Sequence, residues 1–85
     1  MDREEIIEWA DELVEAHEDI YTAILFPSQS IKHAILTITQ QIQIIAPYYG
    51  DDMLNNGYTI PMIEEAESLA LVLEELQFRL DEIQS

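Results

Sequence analysis

Cysteine is absent from this chain, glycine occurs twice, and lysine and arginine together occur three times in 85 residues. Each scarcity excludes something. Without cysteine there is no disulfide and no thiolate metal site, while the redox compartment stays open. Both glycines, Gly50 and Gly57, fall in one segment, which leaves no nucleophile elbow and no glycine-rich phosphate cradle. No apolar run approaches the ~18 residues that cross a bilayer, and the N-terminal stretch is acidic where a signal peptide is basic. A cytoplasmic protein is the expectation.

What the chain does have is negative charge. Eighteen acidic residues against three basic ones leave a formal charge of −15. Such a surface repels phosphate, so the expected partner is a basic protein, not nucleic acid itself and not an anionic membrane. Apolar residues make up 48% of the chain, which suits a folded globule and not an acidic disordered tail. A core built from 85 residues is small, so a single domain that pairs as a homodimer is expected.

Three apolar stripes organise that domain. In a first helix, expected near residues 2–26, Ile6, Ile7, Trp9, Ala10, Leu13, Val14, Ala16, Ile20, Tyr21 and Ile24 line one half, with Asp2 as N-cap and Glu5 reaching back to it. Pro27 is expected to end it. A second helix, expected over 29–46, carries Ile31, Ile35, Ile38, Ile42 and Ile45 at alternating spacings of four and three. The alternation in ILTITQ leaves a strand open there, but the isoleucine stripe runs longer. The segment 47–60 reads as a long loop with a turn between Asp51 and Gly57. A third helix, expected over 61–84, shows the cleanest seam: Met62, Ala66, Leu69, Leu73, Leu76, Leu80 and Ile83. Leu71 and Phe78 fall on its opposite side among glutamates, and are the expected self-association residues. The fold class is therefore all-α: a small three-helix bundle, or a helical hairpin with an added N-terminal amphipathic helix, expected to be dimeric.

Catalytic and metal chemistry find no footing. A di-iron bundle wants Glu-x-x-His, but Val14 precedes His17 by three and Ser30 precedes His33 by three. Ser30 and His33 are one turn apart without an orienting acid, so the expectation is a capping serine and a solvated histidine. His17, on the apolar side of its helix, reads as a partly buried packing residue. The Asp51, Asp52, Asn55, Asn56 cluster is too short and wrongly spaced for a calcium loop. No catalytic residue, cofactor or metal is assigned, and no enzyme is expected.

The acidic ridge is the feature that asks for a purpose. Glu4, Glu5, Glu8, Asp11, Glu12, Glu15, Glu18 and Asp19 fall within roughly 140° of arc on the first helix. Solvated helix faces ordinarily mix lysine with glutamate, because like charges four apart cost a few tenths of a kcal/mol each. Here Glu4 and Glu8, Glu8 and Glu12, Asp11 and Glu15, and Glu15 and Asp19 are all like pairs. At ~1.5 Å rise per residue the ridge carries roughly one charge per 3 Å, close to the ~3.4 Å phosphate spacing of one DNA strand. In surface character it resembles the phage-borne nucleic-acid mimics, including anti-restriction and some anti-CRISPR proteins. The resemblance implies that these eight residues occupy the basic, nucleic-acid-binding surface of a partner protein, in the host cytoplasm if the chain is phage-encoded. The alternative is a small acidic chaperone or adaptor, gripping a partner helix through its apolar stripes while the charge maintains solubility.

Overall fold

The computed structural model describes residues 2–18, 27–49 and 53–84. Among them are three α-helices: α1 (Arg3–Ala16), α2 (Pro27–Ile45) and α3 (Ile60–Gln84). They form a compact all-α three-helix bundle in which α2 and α3 share the most extensive interface and α1 packs on both.

Helix α1 starts as its sequence dictates. The Glu5 amide donates to Asp2 Oδ1 at 2.9 Å, so the cap satisfies an amide that has no partner within the helix. Its end differs from the expectation of a helix running to residue 26. It stops at Ala16, where His17 and Glu18 donate their amides three residues back, to Val14 and Glu15, in a tightened last turn. Local electrostatics disfavour a longer helix at this point. Glu12, Glu15 and Glu18 crowd the negative end of the helix dipole, and its last turn has no basic residue to offset them. The expected continuation through Asp19, Ile20, Tyr21 and Ile24 lies outside the described residues.

Proline likewise opens a helix here, where it was expected to close one. Pro27 is the first residue of α2, a position that lacks an amide partner in any case. The strand alternative for ILTITQ falls away, because 31–45 is continuous helix. Between α2 and α3, Gly57 N–H donates to Leu54 C=O and Tyr58 N–H to Met53 C=O, the paired bonds that terminate a helical turn. Gly57 holds φ at +85°, which only glycine adopts without strain. Thr59 then caps α3, its hydroxyl accepting from the Met62 amide.

The core follows the three stripes but is shifted at two places. Ile31, Ile38 and Ile42 are buried while Ile35 and Ile45 are half-buried, because Ala34 takes the centre of the face. Ala10, Ala34 and Ala66, one from each helix, are 0% exposed, and side chains this small let three helices approach closely. On α3 the seam residues Ala66, Leu69 and Leu76 are buried and Met62, Leu73 and Leu80 half-buried, whereas Ile83 is exposed. Val72 and Glu75 are buried as well, on a second seam that the four-three spacing does not contain. A single seam serves one neighbour; α3 has two.

Candidate functional site: the outer face of α1

Seven of the eight ridge residues, Glu4, Glu5, Glu8, Asp11, Glu12, Glu15 and Glu18, are exposed. Asp19 lies outside the described residues. The ridge faces outward because Ile6 and Ala10 point to the core, with Trp9, Leu13 and Val14 packed against it, whereas Ala16, expected on the same half, is exposed in the last turn.

Beneath one edge of the ridge runs an ion network that the apolar spacing did not reveal. Glu75, 8% exposed, takes Arg3 Nη2 on one carboxylate oxygen at 3.2 Å and Arg79 Nε on the other at 3.4 Å. Arg79 Nη1 continues to Asp11 Oδ1 at 2.7 Å. Both bridges to α1 advance together along the two helices, from Arg3 and Glu75 to Asp11 and Arg79, so α1 and α3 run in the same direction. A buried carboxylate needs partners of this kind, since an unpaired charge taken from water costs several kcal/mol. One signal was available in the sequence: Glu75 and Arg79 stand four apart, a spacing at which opposite charges meet on a helix.

This network changes the meaning of the ridge. Two of the chain's three cations are engaged with Glu75 and Asp11, and the third, Lys32, is exposed on α2. Asp11 is therefore a member of the α1–α3 clasp and differs from its neighbours. Glu4 and Glu8, and Glu8 and Glu12, remain exposed like pairs with no cation between them on α1.

The other residues singled out by sequence fall as follows. His17 is half-buried, and His33 is exposed. They meet edge to face, with ring centroids 5.8 Å apart, a contact that sequence spacing did not show. Thr37 donates its one hydroxyl proton to His33 C=O at 3.0 Å, so His17 Nε2 carries the proton shared with Thr37 Oγ1 at 3.2 Å. Ser30 is the fourth residue of α2 and is buried, not a cap. Leu71 and Phe78 are 39% and 56% exposed on the side of α3 away from the core. Among the described residues no group of three or more histidines and carboxylates is placed to hold a metal ion. Among them also, no helix is long and apolar enough to cross a membrane.

Fold and charge together define the class: an acidic three-helix bundle with a carboxylate face on α1, the shortest of the described helices. None of the family models, curated proteins or solved structures compared with the chain matches it.

Proposed function

We propose that the chain is a non-enzymatic binding module whose α1 face occupies a basic, nucleic-acid-binding surface of a partner protein, acting as a nucleic-acid mimic of anti-restriction or anti-CRISPR character. The observation that carries this reading is the exposure of Glu4, Glu5, Glu8, Glu12, Glu15 and Glu18 together, on a helix whose only cation is turned to Glu75. A basic groove shaped for a phosphate backbone meets that row with complementary potential, which speeds encounter and fixes register. The test is a pull-down on the immobilised chain from lysate of its source cell. Retained proteins are expected to be basic, to elute with salt, and to be displaced by duplex DNA or RNA. Retention unaffected by Glu8→Lys, Glu12→Lys and Glu15→Lys together would sink the reading.

The homodimer belongs to this proposal too. Ile60, Leu71 and Phe78 share one face of α3 and are all exposed, leaving an apolar strip that a second copy covers. Glutamates interleave with that strip, so two copies repel as they meet. Self-association is therefore expected to strengthen as salt rises, opposite to binding at the ridge.

A further inference from the structure

The side of the α2–α3 hairpin that α1 leaves open carries a groove of about 290 Å³. It is lined by Thr39, Ile42 and Gln43 from α2, by Ala46 and Tyr49 just beyond the end of that helix, and by Ala70 and Leu73 from α3. None of these is charged, on a molecule of net charge −15. Thr39 is prepared for apolar company, because its hydroxyl donates to Ile35 C=O at 2.8 Å and so is satisfied within its own helix. Tyr49 is held by its own segment: its amide donates to Ala46 C=O at 3.0 Å, and the Tyr48 amide donates to the Tyr58 hydroxyl at 2.9 Å.

The two edges differ in charge, and that difference selects the occupant. On α3, Glu67 and Glu74 stand one turn before and one turn after Ala70, both exposed, and Asp81 follows along the same side. On α2 the edge beside Ala70 is neutral, with Gln40 and Gln43 exposed, and its one cation, Lys32, stands two turns before Thr39 at the far end. We propose that this groove takes an amphipathic helix of a partner protein, with its apolar stripe on Ile42, Ala46, Ala70 and Leu73 and a lysine- or arginine-bearing flank along Glu67 and Glu74. An open trough between two helices fits a helix better than a small molecule, which needs enclosure on most sides. A second copy of this chain is the wrong occupant of the groove, since its outer α3 strip carries no cation to lay along Glu67 and Glu74. The inference stands independently of the nucleic-acid-mimic reading, because it uses a different face of the bundle.

The probe is a synthetic 18-residue helix with a leucine and alanine stripe and lysine elsewhere, titrated into the isotopically labelled full chain and followed by amide chemical shifts. Shifts centred on Thr39, Gln43, Ala70 and Leu73 are expected. Ala70→Trp, which fills the trough from a half-buried position, should weaken binding at least tenfold while circular dichroism stays unchanged. Should that variant unfold, Glu67→Lys with Glu74→Lys, both exposed, gives the same tenfold reading. Glu8→Gln with Glu12→Gln and Glu15→Gln should leave the groove shifts in place. Shifts centred on α1 instead, equal binding of a control helix with glutamate in place of lysine, or concentration-dependent groove shifts without any peptide would each overturn the proposal.

Discussion

Single residues decide which acids of this molecule are structural. Asp11 and Glu12 are adjacent and both exposed, yet Asp11 holds Arg79 at 2.7 Å and Glu12 sits one turn after Glu8. Opposite responses follow. Asp11→Lys sets two cations against each other and is expected to cost up to about 1 kcal/mol. Glu12→Lys turns a like pair into a favourable one beside the negative end of the dipole, for a gain of roughly 0.3–0.5 kcal/mol. Urea denaturation of the two variants checks both signs. At Gly57, φ of +85° makes Gly57→Ala cost about 1 kcal/mol, although open space surrounds the position. Glu75→Gln leaves two guanidinium groups with a weaker acceptor. Arg3 is largely exposed and resolvates, so the expected loss is about 1 kcal/mol, below the usual figure for a broken buried pair.

At the scale of elements, the sequence was most legible where one pattern served one purpose. The isoleucine stripe of α2 located that helix within two residues at each end, and Asp2 located the start of α1. The end of α1 was illegible because Ile20 and Ile24 keep helical spacing past Ala16, where the helix ends. Apolar periodicity speaks for burial and is silent on dipole charge. Glu75 was illegible for a related reason: a charged residue inside a second seam breaks the apolar rule that reveals seams. Leu71 and Phe78 could be placed on the outer side of α3 from spacing alone, whereas the purpose of that side could not. If stacked carboxylates limit α1, then Glu12→Gln with Glu15→Gln should raise helix content by circular dichroism, and an unchanged spectrum would reject this cause.

For the whole molecule, charge is the governing quantity. With Arg3 and Arg79 placed against Glu75 and Asp11, the remaining charged groups are anionic apart from Lys32, and like charges press the bundle apart. The melting temperature is therefore expected to rise as salt is added up to ~0.15 M, where screening acts over about 8 Å. Sedimentation velocity over the same range should show self-association growing with salt if the outer strip of α3 pairs, and substitution of Leu71 and Phe78 by serine should abolish that growth. A species of about 10 kDa at every salt concentration would remove the dimer while leaving the groove and the ridge untouched.

Helix α1 has fourteen residues against the twenty-five of α3, and shares less with either neighbour than they share with each other. Its docking rests on buried Ile6 and Ala10, on half-buried Trp9, Leu13 and Val14, and on two partly solvated guanidinium bridges. Such a helix opens before the rest of the molecule does. Amides of α1 should therefore exchange with deuterium well ahead of those at Ile38 and Leu76. A partner that grips the outside of α1 would close that opening, and would slow exchange on the inner side of the helix as well as the outer. Part of its attraction would go into holding down a helix that otherwise lifts, so its lifetime on the protein would depend on the two arginines that it never touches.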